Sequence, residues 1–84
     1  MLKNKVVVVT GGAGLLGQEF IKAVVAQEGI AIIADINESI GNNLREKLKN
    51  QLQTENIDFV QLDITSKESI QGCIDYLDKK YKKI

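Results

Sequence analysis

The sequence predicts an α/β fold built on a parallel β-sheet wound with helices, and three observations carry that reading. Short apolar runs alternate with longer segments of helical periodicity, in the order strand, helix, strand, helix, strand, helix. The strand runs are continuous rather than alternating: Val6-Val7-Val8-Val9, then Ile30-Ala31-Ile32-Ile33-Ala34. Runs of that kind belong to parallel strands buried on both faces. The first run also breaks directly into a glycine cluster that opens the first helix. Such alternation implies right-handed βαβ crossovers, with the strands in the order 3-2-1.

The elements follow in turn. Val6 to Val9 forms the first strand, bounded by Lys5 and by Gly11-Gly12. Gly14 to Gln27 is helical, with Leu16, Phe20, Ala23 and Val24 as its apolar spacing and Gly29 as its C-cap. Ile30 to Ala34 is the second strand, ending at Asp35. From Ser39 to about Leu52, Ile40, Leu44, Leu48 and Leu52 stand four apart in an amphipathic helix. Ile57 to Asp63 is the third strand. Thr65 and Glu68 then have capping-box spacing. The last helix carries Ile70, Cys73, Ile74, Leu77 and Tyr81 on one face.

Composition narrows the function. A chain of 84 residues, 44% hydrophobic and 26% charged, reads as one small globular domain over residues 1–84. Eleven basic residues balance eleven acidic ones, so no net field draws the chain to nucleic acid or to an anionic membrane. Lys79, Lys80, Lys82 and Lys83 cluster, but as cations at a helix C-terminus, where the dipole favours them. With one cysteine, Cys73, there is no intrachain disulfide and no thiolate metal cluster. With no histidine there is no imidazole ligand and no Ser/His or Cys/His pair. No apolar run is long enough for a bilayer span or a signal peptide, and a cytoplasmic location is expected.

The glycine cluster carries the chemistry. Thr10-Gly11-Gly12-Ala13-Gly14-Leu15-Leu16-Gly17 leaves the first strand and enters the first helix. Gly11 permits the sharp turn. Gly14 lets the backbone approach a pyrophosphate, and Gly17 lets the helix pack close to the sheet. The N–H groups and positive dipole of the helix start then face the phosphates. A triphosphate-binding P-loop would need Lys and Ser or Thr after the last glycine, and Gln18-Glu19 stands there instead. Asp35 ends the second strand, 18 residues beyond Gly17, where an acid accepts hydrogen bonds from the adenosine ribose. Ile36-Asn37-Glu38 follows, with no arginine to meet a 2′-phosphate. That favours NAD over NADP. Asp63, followed by the backbone of Ile64, ends the third strand, where an adenine amino group would be received; an acid beside a helix N-terminus is the equally simple alternative. The expected cofactor-binding set is Thr10, Gly11, Gly14, Leu15, Leu16, Gly17, Asp35, Ile36, Asp63 and Ile64, in a Rossmann-type βαβαβα half.

Thr10-Gly11-x-x-Gly14-x-x-Gly17, Asp35 and Leu62-Asp63-Ile64-Thr65 resemble the N-terminal segment of the short-chain dehydrogenases/reductases. The resemblance spans the whole chain, down to Lys80-Tyr81-Lys82-Lys83-Ile84, which looks like the approach to that family's fourth strand. Within the family the chain is similar to oxidoreductases of flagellin modification and surface-polysaccharide synthesis. The resemblance implies an NAD-binding portion of such an oxidoreductase. The short branch usually has glycine where Leu15 stands, and the Gly-x-x-Gly-x-x-Gly spacing is common in the extended branch of sugar-nucleotide epimerases and dehydratases. A start of that second kind of enzyme, or a non-catalytic dinucleotide-binding module, are the alternatives. The family's catalytic Tyr-x-x-x-Lys pair, serine and Asn-Asn-Ala-Gly turn are expected beyond Ile84, so no residue here is assigned to catalysis and the chain is expected to be inactive alone. Tyr76 and Lys80 share the pair's spacing, but on the wrong helix. Cut at this point, the first strand would be a sheet edge, through which two copies could pair as a homodimer.

Overall fold

The computed structural model of the chain describes residues 3–11 and 14–81. Six elements follow one another: β1 (Val6–Thr10), α1 (Leu15–Ala26), β2 (Ile30–Asp35), α2 (Glu38–Leu52), β3 (Ile57–Gln61) and α3 (Lys67–Tyr81). All three strands are parallel with β2 in the centre, the 3-2-1 order that the alternation predicts. Thr10 lies opposite Ala34, and Asp35 opposite Gln61. The carboxyl ends of the strands therefore finish together at one edge of the sheet.

Side chains alternate across a strand, and β2 uses both faces. Ala31 and Ile33 join Ile57 and Phe59 in a core closed by Ile21 and Val24 of α1 and by Leu44 and Leu48 of α2. Ile32 and Ala34 point the other way, to Leu62 and to Cys73 and Leu77 of α3. Ala31 to Ala34 are all buried, which is why that run is apolar without a break.

The first strand departs from expectation. It reads as buried on both faces, yet Val8 is 37% exposed and its neighbours are half-buried at best. Among the described residues β1 pairs only with β2, so one flank has no strand beside it.

The buried stripe of α1 is Gly17, Ile21 and Val24; of the expected Leu16, Phe20, Ala23 and Val24, only Val24 is buried. Leu16 is 71% exposed and Phe20 56%. The buried Gly17 begins the stripe that meets the sheet. Phe20 flanks a groove along Val7, Val8 and Val9 on the open side of β1. In α2, Leu44 and Leu48 are buried as expected, but Ile40 is exposed and Gly41 takes the inner place. In α3, Cys73 and Leu77 are buried and Tyr81 is half-buried, whereas Ile70 and Ile74 are exposed.

Three boundaries also shift. α1 ends through Glu28, which adopts the left-handed conformation at φ 64°, rather than through Gly29. The N–H of Gly29 donates to Val24 O and that of Glu28 to Val25 O, both at 2.9 Å, so orphan carbonyls are satisfied in Schellman fashion. β3 stops at Gln61. Leu62 then donates its N–H to Asp35 O at 3.0 Å. α3 is capped by Ser66, whose Oγ accepts from Ser69 N at 3.2 Å, and not by Thr65. The Thr65 hydroxyl is already donated to Asp63 Oδ1 at 2.6 Å. Lys79 and Lys80 lie in the last turn of α3, as read; Lys82 and Lys83 lie outside the described residues.

Candidate functional site

The carboxyl ends of the three strands enclose a cleft of about 480 Å³. Thr10 and Gly11 come from the end of β1, Asp35 and Ile36 from the end of β2, and Asp63 and Ile64 from beyond β3. Such a crevice, outside the carboxyl ends of a parallel sheet, is where ligands of open α/β folds bind. Its volume suits a small molecule or part of a cofactor.

The glycine segment sets the β1 side. Gly11 has φ +66°, the left-handed conformation that L side chains avoid, and its N–H donates to Ala34 O at 2.8 Å. The chain is thereby anchored to the end of β2 as it leaves the sheet. Gly14 returns its N–H to Gly11 O at 3.0 Å and becomes the N-cap of α1. Gly12 and Ala13, between them, lie outside the described residues. Gly14 carries no side chain to cap the helix, and no acid stands in the first turn of α1. By contrast, Asn37 caps α2 through Ile40 N at 3.0 Å. Leu15 and Leu16 form the exposed first turn of α1 and Gly17 faces inward; none of the three lines the cleft.

The acidic side chains are held by turns. Asp35 Oδ1 accepts from Asn37 N at 3.1 Å, and Gln61 Nε2 steadies the next residue through Ile36 O, also at 3.1 Å. Asp63 Oδ1 accepts both the Thr65 hydroxyl, at 2.6 Å, and Thr65 N, at 2.9 Å. Those bonds, the hydroxyl first, hold the Asp63 carboxyl below the ordinary carboxylate range. Asp63 N itself donates to Ser69 Oγ at 2.9 Å, tying the turn to α3. Exposed Ile36 and Ile64 stand at the rim.

Ala34, Leu62 and Thr65 also line the cleft and stand outside the expected cofactor-binding set. Ala34 and Leu62 are buried apolar residues like their neighbours, and no pattern marks them as floor. Thr65 carried a signal, its hydroxyl beside a helix start, but that signal reads equally as a cap. Tyr76 and Lys80 stand 3.3 Å apart, at Asp58 near the start of β3, away from the cleft. Among the described residues no group of three His, Cys, Asp or Glu side chains is placed to hold a metal ion. No described helix is long and apolar enough to cross a membrane.

Comparison with known proteins agrees with this geometry. Post-translational flagellin modification protein A of Campylobacter coli is 43% identical over the whole chain. 3-Hydroxyacyl-CoA dehydrogenase type-2 of Drosophila melanogaster is 30% identical, again over the whole chain. The structure of menthone neomenthol reductase from Mentha piperita superposes with a TM-score of 0.87 over 96% of the chain, at 27% identity. The chain spans 32%, 31% and 28% of these proteins respectively, about a third of their length. The family model for short chain dehydrogenase matches residues 5–84. With that match running almost end to end, the chain belongs to the short-chain dehydrogenase family.

Proposed function

We propose that this chain is the adenosine-binding portion of an NAD-dependent oxidoreductase. One observation carries the reading: a single cleft gathers a left-handed glycine, a carboxylate at the end of β2 and another beyond β3. The N-terminus of α1, with Gly14, Leu15, Leu16 and Gly17, would take the pyrophosphate on backbone N–H groups. Asp35 would accept hydrogen bonds from the ribose hydroxyls. Asp63 and Ile64 would receive the adenine, with Ile36 against its ring. Thr10 and Gly11 would form the wall at the end of β1. Gly14 supports the fit: among the described residues a Cβ there would meet only Gly11 O, at 3.5 Å, so they do not demand glycine at that position. When bound, the dinucleotide supplies the hydride chemistry of this family; these residues bind and orient its adenosine end.

The cofactor preference follows from charge. A carboxylate at the 2′ position favours a ribose hydroxyl and repels a phosphate. Calorimetric titration should give tighter binding of NAD and ADP-ribose than of NADP. Asp35→Ala should weaken NAD by the equivalent of a charged hydrogen bond, about 1.5–3 kcal/mol, and shrink the NAD/NADP ratio. Equal affinity of the unmodified chain for both cofactors would refute the assignment.

The open flank of β1 supports a second part of the reading: two copies of the chain pair through that edge as a homodimer.

A further inference from the structure

A second polar cluster lies at the other end of β3, unused by the dinucleotide reading. Asp58 is only 7% exposed. It stands opposite Ile32, which belongs to the core beneath α3. Its Oδ2 accepts three bonds from the last turns of α3: Lys80 Nζ at 2.7 Å, the Tyr76 hydroxyl at 3.0 Å and the Tyr81 hydroxyl at 3.0 Å. Its Oδ1 accepts from Phe59 N at 2.8 Å and faces the Arg45 guanidinium of α2 at 3.6 Å. Arg45 is itself bonded to Glu46 at 3.2 Å, and the Lys49–Glu55 pair, at 3.0 Å, lines a second cavity with Arg45, Asp58, Lys80 and Tyr81.

The spacing explains the convergence. Lys80 lies one helical turn beyond Tyr76, and the long side chains of Lys80 and its neighbour Tyr81 both reach the same carboxylate. The only buried side chains of α3 are Cys73 and Leu77. The apolar hold on its C-terminal half is thus thin. A buried carboxylate stripped of its partners is strongly unfavourable, so the donors and the acid depend on each other.

We propose that Asp58 is a charge-dependent latch: its carboxylate fastens the C-terminal half of α3 to the sheet, and neutralising it releases residues 73–81 while the strands and the core under α1 and α2 stay folded. The first turn of α3 has separate anchors in Ser66, Ser69 and the Asp63 turn. Release is therefore local, and the cleft at the strand ends keeps its shape.

The pH window follows from the donors. Burial works to raise the Asp58 pKa, but Lys80, the Phe59 N–H and the two hydroxyls together outweigh it and leave the group below its ordinary value. A depressed carboxylate stabilises above its unfolded pKa, near 4, and that contribution is lost as pH falls through the folded value. On the alkaline side, burial first and the Asp58 bond second push the Tyr81 hydroxyl up to about 12. That contribution is complete below the ordinary tyrosine value near 10 and lost as pH rises through about 12. Lys80 is also raised, by its bond to Asp58 first. The latch is closed between about pH 4 and about pH 10.

Amide hydrogen exchange on the 84-residue chain, corrected for intrinsic rates, tests the idea. At neutral pH, Asp58→Asn should speed exchange in residues 73–81 by about tenfold to a hundredfold, with β2 unchanged. Below about pH 10, the unmodified chain should match it only on acidification. Tyr76→Phe leaves Tyr81 as the one tyrosine; adding Asp58→Asn should move its ionisation from about 12 towards 10. Tyr81→Phe, which keeps the ring and removes one donor, should shift release to higher pH. Unaltered α3 exchange in Asp58→Asn overturns the proposal. So does loss of strand protection in step with α3, including outright unfolding of that variant, or an unmoved release pH in Tyr81→Phe.

Discussion

Gly11 and Gly14 are the same residue under different demands. At Gly11 the backbone is left-handed, with φ +66°, so any side chain there is strained although space is open around it. At Gly14 the backbone is extended, with φ −77° and ψ 170°, and any residue could adopt it. Valine at Gly14 would lose only about 1 kcal/mol as a poorer N-cap. Against the proposed pyrophosphate, the same branched side chain fills the space a phosphate oxygen needs. Gly14→Val should therefore fold, with a modestly lower urea midpoint, yet lose ADP-ribose binding in a calorimetric titration. Retained affinity in the folded variant would put the pyrophosphate elsewhere. Residues at strand ends were legible because a strand's end is legible: Asp35 and Asp63 stand out as the first acids after apolar runs. Asp58 was not legible. A lone acid within a strand says nothing of donors that lie 18 to 23 residues further on.

At the scale of elements, α2 approaches β3 closely, and a glycine permits the approach. A Cβ at Gly41 would run into the ring of Phe59, itself 8% exposed in the core. Two effects of Gly41→Ala compete. Alanine in a helix gains about 1 kcal/mol over glycine. Overpacking a filled core loses about 1–3 kcal/mol. The ring is held from several sides, so overpacking should win and the chemical-denaturation midpoint should fall. Phe59→Leu in the same background should recover part of the loss; a stabilised Gly41→Ala would mean that α2 moves away without penalty. Period alone could not assign these faces. Along α1, Leu16 and Phe20 are as apolar as Ile21 and Val24, and periodicity does not say which stripe the sheet occupies. α2 was read more closely because charge surrounds its one apolar stripe, though even there Gly41 and not Ile40 faces inward.

At the scale of the molecule, the proposed homodimer rests on the flank of β1 that has no strand beside it among the described residues. Ile30 N donates to Lys5 O and Gly11 N to Ala34 O, each at 2.8 Å, so the odd-numbered residues of this segment face β2. By the alternation of a parallel ladder, Val6, Val8 and Thr10 present their N–H and C=O groups outward. No proline stands along that edge to block pairing. Phe20 and Val8 add exposed apolar surface beside it. α3 packs against Ile32, Ala34 and Leu62, a cluster that Val6 of β1 also joins. Pairing with a second copy satisfies the outward groups and buries the apolar flank at roughly 25 cal/mol per Å². In the proposed homodimer, two-fold symmetry would make the new pair antiparallel, β1 against β1, in a continuous six-stranded sheet. Sedimentation at micromolar concentration should then give a dimer, and amide exchange should protect Val6 and Val8 as well as Val7 and Val9. Val7 and Val9 are protected in a monomer too, through β2, so the even-numbered amides are the discriminating ones. A monodisperse monomer with rapidly exchanging Val6 and Val8 would show that this edge stays open in water.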